Sequence, residues 1–174
     1  MPTLLLPSAL SRLNHADFIA ALAGIYEHSD WVAERAWDAR PFASRESLLI
    51  ALNHAMLDAP PIQQQQLICA HPELAGTAAN AGQLSPASTQ EQEKAGLSTL
   101  DQAALSCMQR LNARYREKFG FPFIVAVQGR TSEQIANELE QRLQQTPAEE
   151  FSAALQQIAL IAGFRLAARV ADEG

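Results

Sequence analysis

Apolar residues recur at helical spacing along most of the 174-residue chain, and this periodicity constrains the fold more than any other feature. Residues at positions i, i+3, i+4 and i+7 lie on one face of an α-helix. One such set is Phe18, Ala21, Leu22 and Ile25. It follows Asn14, with Asp17 three residues later, which is a typical spacing for a capped helix start. The pattern predicts an amphipathic helix here and a mainly helical protein.

Start and stop signals divide the first half of the chain into further helices. Ser29 is predicted to cap a helix that ends before Pro41, and Ser44 is predicted to cap the helix after it. Another helix follows over about residues 62–70. It must stop near His71, because the proline that follows disfavours helical backbone at the residue before it.

Similar signals divide the second half. Residues 88–91 match a capping box, and residues 98–101 give a similar signal ahead of a long helix that ends at Gly120. A further predicted helix carries the apolar residues Ile135, Leu139 and Leu143. Residues 146–149, with proline in second place, predict the start of the last helix, which runs to about Val170.

Two stretches do not fit the helical pattern. Residues 73–86 hold two glycines and several small residues, so we expect a loop or a short helix there. Residues 121–127 (FPFIVAV) are an apolar run with β character, but nothing else in the chain could pair with them in a sheet. We therefore predict an all-α fold, a single-domain multi-helix bundle over residues 1–174, with one short extended apolar segment near 121–127.

Composition and charge argue against several classes of protein. Hydrophobic residues make up 48% of the chain, which is too many for a disordered protein. The net charge of −6 disfavours a nucleic-acid-binding protein, which usually has a basic face. The sequence lacks a run long enough to span a membrane and the basic start of a secretion signal. Cys69 and Cys107 are expected to be buried thiols in a reducing compartment, so we expect a cytoplasmic protein without nucleic-acid or membrane partners.

Residue types that bind metals and common cofactors are sparse or badly spaced. The four histidines show no HxxxH or HExxH spacing, and no cysteine stands at ligand spacing from a histidine. The chain has no glycine-rich phosphate loop. Only two lysines, Lys94 and Lys118, could form a Schiff base with pyridoxal phosphate. If the protein is an enzyme, this pattern favours acid–base chemistry by side chains, without a metal or cofactor.

His71 is the first candidate for such chemistry. It stands at a predicted helix end, directly before a proline, in the segment AHPELAG. A histidine held in one direction and able to titrate near neutral pH suits proton transfer. The structural alternative is a histidine that caps the helix and interacts with its dipole, and spacing alone favours this alternative by roughly three to one.

Ser88, Glu91 and Gln92 have two interpretations. As a capping box, Ser88 and Glu91 only begin a helix, and the residues themselves favour that interpretation. In the functional interpretation, the helix start offers N–H groups to a ligand and the three side chains line the site.

Arg165 and the apolar segment also have open alternatives. Arg165 shares a helical face with three apolar residues, Ala154, Ile158 and Ile161. A charge on such a face needs a buried carboxylate or a ligand, unless the side chain reaches solvent at the helix end. Residues Phe123 to Val127 could be core alone, or their backbone could hydrogen bond a polar ring.

Taken in order, short segments spread over most of the chain resemble the family of 2-oxo-4-hydroxy-4-carboxy-5-ureidoimidazoline (OHCU) decarboxylases. These segments are residues 25–36 (IYEHSDWVAERA), Pro41-Phe42, residues 71–76 (HPELAG), Ser88 with Glu91-Gln92 and Ala95-Gly96-Leu97, Leu111-Asn112 with Tyr115, residues 118–123 (KFGFPF) and Arg165-Leu166. Each segment alone is weak, but the ordered set is specific. It changes the preferred interpretation of His71 from structural to functional.

The resemblance implies a cofactor-free, all-helical homodimer that converts OHCU to (S)-allantoin in urate degradation. It assigns acid–base catalysis to His71 with Glu91. It assigns substrate binding to Pro72, Ser88, Gln92, Phe123, Ile124, Val125, Ala126, Val127 and Arg165. The sequence departs from the family pattern at Asp30, where a proline is expected, and over residues 77–86, which follow no recognisable pattern.

Two other classes of protein remain as alternatives. In a non-enzymatic helical protein-interaction domain, Ser88 and Glu91 would be caps, His71 a helix end, and Arg165 an internal ion-pair partner. A metal-binding helical bundle ranks third, because ligands far apart in sequence leave no local motif.

Overall fold

A computed structural model describes residues 4–76 and 82–172, and the regular structure in these ranges is almost entirely helical. The α-helices are α1 (Pro7–Arg12), α2 (His15–Leu22), α3 (Trp31–Ala36), α4 (Arg45–Leu57), α5 (Pro61–Ala70), α6 (Pro86–Lys94), α7 (Gln102–Phe119), α8 (Ser132–Arg142) and α9 (Pro147–Ala167). Short 3₁₀ helices cover Trp37–Ala39 and Leu97–Thr99. The only β pairing within the described ranges is a single bridge between Leu5 and Val170. The all-α prediction is confirmed.

Polar side chains cap most of the helices where the sequence predicts them. The Asn14 side chain accepts a hydrogen bond from the N–H of Asp17, and Ser44 caps α4 in a capping box. Thr146 and Glu149 bond reciprocally at the start of α9, and the bonds from Thr146 hold the pKa of the Glu149 carboxyl below its usual value. These bonds satisfy N–H groups that the first turn of a helix leaves without partners.

Two predicted caps are wrong by a few residues. Asp30, rather than Ser29, is the residue before α3, and it makes no side-chain capping bond. Ser88 lies inside α6, which Ser85 caps by accepting a hydrogen bond from the N–H of Ser88. Pro86 follows Ser85 at the first position of the helix, where a missing N–H costs nothing. The expectation of buried thiols is also wrong, because Cys69 is exposed and Cys107 half-buried.

The described residues form two compact units. One contains residues 4–67 with 159–172, and the other contains residues 68–76 with 82–158. Helices α5 and α9 each contribute residues to both. The predicted single domain over residues 1–174 stays a prediction.

In the unit with residues 4–67, helices α2, α3 and α4 pack around an apolar core. Phe18 is fully buried and contacts the rings of Trp37 and Phe42, with ring centroids 5.3 and 5.8 Å apart. Tyr26 is also buried and donates a hydrogen bond to Asn53 Oδ1 at 2.8 Å. Among the described residues, no helix is both long and apolar enough to cross a membrane.

In the unit with residues 68–158, a buried polar cluster lies among aromatic rings. The Tyr115 hydroxyl donates to the carboxylate of Glu150, and Arg142 Nε donates to the same carboxylate at 3.0 Å. The Tyr115 ring contacts the rings of Phe119 and Phe123. Burial, followed by the bond to Glu150, raises the pKa of Tyr115 above its usual value. A charge inside an apolar core needs such partners, so this cluster fixes helices α7, α8 and α9 relative to each other.

Buried tyrosines predict a loss of stability in alkaline solution. Burial raises the pKa of Tyr26 and Tyr115 in the folded protein, whereas both ionise normally in the unfolded chain. The contribution of the two tyrosines to the free energy of unfolding is complete below about pH 10. Above about pH 10 it falls by about 1.4 kcal/mol per pH unit for each tyrosine. Tyr26→Phe is therefore expected to flatten the decline in unfolding free energy above about pH 10, measured with urea. Parallel declines in the two proteins would contradict this.

Candidate active site

His71 follows the last residue of α5 and is buried, with 7% of its surface exposed. Its N–H donates to the carbonyl of Ile68 at 3.2 Å, which continues the helical turn by one residue. Pro72 then directs the chain away from the helix axis, so the predicted helix end is confirmed. The imidazole is thus attached to rigid backbone on both sides.

The turn after Pro72, residues Glu73 to Gly76, has an unusual backbone conformation. Ala75 has a φ of +51°, in the left-handed region that residues with a β-carbon rarely adopt. Such a residue costs about 1–2 kcal/mol and persists only where the surroundings hold it. A β-carbon on Gly76 would lie 2.8 Å from the Cβ of Glu73, so this position requires glycine.

Two buried amide side chains hold this turn. Gln92, on α6, accepts from the N–H of Ala75 at 2.9 Å and donates to the carbonyl of Glu73 at 3.4 Å. Asn112, on α7, donates to the carbonyl of Leu74 at 2.8 Å. We call Gln92 and Asn112 the amide clamp. At the surface, Arg116 adds an ion pair to the Glu73 side chain at 2.7 Å.

The other two candidate residues of α6, Ser88 and Glu91, lie within about one turn of Gln92 on the same helix. Ser88 and Gln92 are buried, and Glu91 is half-buried. Since Ser85 begins the helix, Ser88 and Glu91 are not its capping box, and the N–H of Ser88 already bonds the Ser85 hydroxyl. The capping-box interpretation of this pair is therefore wrong. Their roles toward a substrate stay a prediction.

The segment Phe123–Val127 is buried throughout and belongs to neither helix nor strand. Arg142 Nη1 donates to the carbonyl of Ile124 at 2.7 Å, and Gln157 Oε1 accepts from the N–H of Ala126 at 2.9 Å. Side chains thus hold a backbone that has no partner strand within the described ranges. The conformation of the segment is fixed from two different helices.

Arg165 has a buried carboxylate as a partner. Its Nη1 lies 2.8 Å from Glu27 Oε2 and donates to the carbonyl of Gly24 at 3.1 Å. Both charged side chains are buried. Of the alternatives that the sequence left open for Arg165, the structure shows a buried carboxylate, that of Glu27, and not a side chain that reaches solvent. Substrate binding by Arg165 stays a prediction.

The candidate residues are therefore distributed over both units. His71, Pro72, Ser88, Glu91, Gln92 and the segment 123–127 belong to the unit with residues 68–158, where Gln92 directly joins α6 to the turn that follows His71. Arg165 belongs to the other unit. No group of three or more histidine, cysteine, aspartate or glutamate side chains within residues 4–76 and 82–172 is arranged to hold a metal ion.

Sequence reasoning missed the residues that support these candidates, namely Asn112, Arg142 and Gln157. The sequence pattern could have identified Arg142. This residue lies three residues after Leu139 and seven after Ile135, on the buried face of α8. Like Arg165, it is a charged residue on an apolar helical face and needs a buried carboxylate or a ligand. Asn112 and Gln157 bond backbone atoms far away in the chain, and no local pattern marks such contacts.

Comparisons with known proteins agree on one family. A family model described as OHCU decarboxylase matches residues 11–167. The 2-oxo-4-hydroxy-4-carboxy-5-ureidoimidazoline decarboxylase of Haloferax volcanii is 41% identical, over 94% of this chain and 95% of its own length. The uric acid degradation bifunctional protein of Bacillus subtilis is 38% identical, over 95% of this chain and 33% of its own length. The crystal structure of an (S)-allantoin synthase matches with a TM-score of 0.78 and 31% identity, over 96% of this chain and 54% of that one.

Proposed function

The chain belongs to the OHCU decarboxylase family, and we infer that it is a carboxy-lyase that converts OHCU to (S)-allantoin in urate degradation. The observation that carries this function is the 41% identity to a decarboxylase over nearly the full length of both chains. The structure adds a buried histidine two residues before a turn that two side chains hold in place. Family membership favours this activity over a non-enzymatic interaction domain.

The substrate itself supplies the electron sink for the reaction. Its carboxylate sits on a carbon that also bears a hydroxyl group and adjoins a C=N bond. When the bond to the carboxylate breaks, its electron pair moves toward that C=N bond and CO2 leaves. The former C=N nitrogen takes up a proton; the hydroxyl then loses its proton to become a carbonyl, and the neighbouring carbon gains one. The net change replaces a carboxylate by a C–H bond and consumes one proton, so proton handling on one face is the task left to the protein.

We assign the proton transfers to His71, oriented by Glu91. An imidazole that is held in one direction can take the hydroxyl proton and assist protonation of the new carbon centre. The burial of His71 and the fixed turn that follows it support this assignment. Delivery from one side gives a single enantiomer.

Binding is assigned to the remaining candidates. Pro72, Ser88 and Gln92 would border the substrate near His71, and the backbone of residues 123–127 would hydrogen bond the ring and ureido groups. Arg165 would bind the carboxylate, where guanidinium geometry is favourable. Fixing the carboxylate out of the plane of the conjugated system lowers the barrier by orientation. The rigid support of residues 123–127 by Arg142 and Gln157 is consistent with such a role.

The test is the rate at which OHCU disappears and CO2 is released. OHCU, generated from urate with urate oxidase and hydroxyisourate hydrolase, is expected to decay at a rate proportional to the concentration of this protein. Dialysis against a chelator is expected to leave the rate unchanged, because the proposed chemistry needs no metal. Decay at the spontaneous rate would contradict the proposed function. Loss of activity after dialysis against the chelator would favour the metal-binding alternative.

We further propose that the protein works in the cytoplasm as a homodimer. Large apolar side chains are exposed on two helices of one unit. These are Ile50 and Leu57 on α4 and Leu160 and Phe164 on α9. Apolar surface of this kind is typical of subunit interfaces.

Charged substitutions on α9 are expected to separate the subunits. Light scattering on the wild type should give about twice the chain mass, as expected for a symmetric dimer. Leu160→Lys combined with Phe164→Lys should give the mass of one chain, since charges in the centre of an interface are unfavourable. A monomeric wild type would overturn the dimer, and a dimeric double variant would place the interface elsewhere.

A further inference from the structure

We propose that Asn112 is a positioning residue for the decarboxylation: its amide, together with Gln92, fixes the turn at residues 73–75 and thereby the direction of His71. Asn112 itself need not touch the substrate. The inference rests on the proposed function, because it assumes that His71 carries the proton. Neither the sequence nor the comparisons assign a role to Asn112.

The contacts on the turn follow a simple order. The carbonyl of Glu73 and the N–H of Ala75 bond Gln92, and the carbonyl of Leu74 between them bonds Asn112. The two clamp residues come from different helices, α6 and α7. Consecutive peptide groups are therefore held from two directions, which removes the freedom of the turn to rotate.

The backbone conformation shows why the turn needs this support. Ala75 is in the left-handed region and is buried. Neither hydrogen bonds to solvent nor an intrinsic preference for this φ therefore stabilises its conformation. Buried peptide groups must also find partners. Because the clamp supplies them, its loss would let the turn relax toward an ordinary conformation. Two residues separate His71 from Leu74, and one of them is the stiff Pro72, so this movement would reach the imidazole.

The surroundings of Asn112 explain why an amide side chain occupies this buried position. Asn112 is buried with 4% of its surface exposed, and its Oδ1 has no hydrogen-bond partner within residues 4–76 and 82–172. Leucine of similar volume would remove this unpaired oxygen but would also leave the buried Leu74 carbonyl without its donor, so the two effects on stability oppose each other. The presence of an amide is explained by its bond to the turn.

Arg116 cannot replace the clamp. It lies one helical turn after Asn112 and pairs with the Glu73 side chain, but the guanidinium is about half exposed and bonds no backbone atom of the turn. Exposed ion pairs restrict position weakly. Positioning of His71 therefore depends on the two amides.

The test is Asn112→Leu, with Arg114→Leu as the matched control. Arg114 is exposed on the same helix and receives the same new side chain. For Asn112→Leu we expect kcat to fall by about 100-fold, because displacing a catalytic group by about 1 Å has effects of this size. KM and the binding of (S)-allantoin should stay within about threefold of wild type, as for a group that acts only in the transition state. Tm should fall by only about 2–8 °C, because one buried carbonyl loses its donor. Arg114→Leu should match wild type throughout.

Three outcomes overturn the inference: kcat within threefold of wild type, a kcat loss matched by an equal rise in KM, or a kcat loss that disappears when both proteins are assayed well below their Tm. If Asn112→Leu does not fold, Asn112→Ser, whose hydroxyl is too short to reach the Leu74 carbonyl, is measured by the same criteria. A wild type that does not accelerate OHCU decay would instead refute the proposed function itself. An active wild type with an equally active Asn112 variant would refute only the positioning role.

Discussion

His71→Ala is expected to lose nearly all catalysis of OHCU decay while the protein stays folded. A positioned acid–base group contributes about 10²–10⁴-fold to a rate, so kcat should fall by that factor. The fold should persist because His71 lies after the last residue of α5, and the backbone bond from its N–H to Ile68 does not depend on the side chain. The measurement is the initial rate of OHCU loss, with the melting temperature of both proteins taken in the same buffer.

His54→Ala is the matched control. His54 also lies near the end of a helix, in the last turn of α4, but its side chain is exposed. Its loss is expected to leave kcat within twofold of wild type. Near-normal turnover by His71→Ala would remove His71 from the mechanism, whereas equal losses in both variants would point to a general effect of histidine substitution.

Arg165→Met is expected to lower the free energy of unfolding by about 3–5 kcal/mol, because it leaves the Glu27 carboxylate buried without its cation. The loss should appear as a lower midpoint in urea at neutral pH. This variant alone does not test substrate binding by Arg165, because activity can be lost through unfolding as well as through weaker binding.

A double variant separates the two roles of Arg165. Glu27→Gln combined with Arg165→Met removes both charges of the pair, so most of the lost stability should return. If Arg165 also binds the substrate carboxylate, KM for OHCU should stay raised in the stable double variant. Wild-type KM in that protein would show that Arg165 serves only the ion pair with Glu27.

Local patterns account for most of the helices, because capping and apolar spacing act within a few residues. The caps at Asn14, Ser44 and Thr146 follow from such signals and are confirmed. The cap of α6 was misassigned to Ser88 because Ser85, three residues earlier, offers the same chemistry and is followed by proline. Where two similar signals stand close together, only the fold decides between them.

The support of the candidate site could not be predicted, because it depends on contacts between distant residues. Asn112 bonds Leu74, which is 38 positions away in the sequence, and Arg142 bonds the backbone of Ile124. Such bonds are set by how helices pack and leave no mark on local spacing. The left-handed conformation of Ala75 is equally invisible, since most residues with this backbone are glycines. Of the predicted loop or short helix at residues 73–86, positions 77–81 lie outside the described residues.

Handedness of the product is the most direct test of the central claim, because OHCU also decays spontaneously to racemic allantoin. OHCU is generated from urate in the cuvette, this protein is added, and circular dichroism is followed to completion. We expect fast decay that leaves the lasting signal of (S)-allantoin, a signal that His71→Ala fails to produce. Decay no faster than the blank, ending in an optically silent mixture, would contradict it.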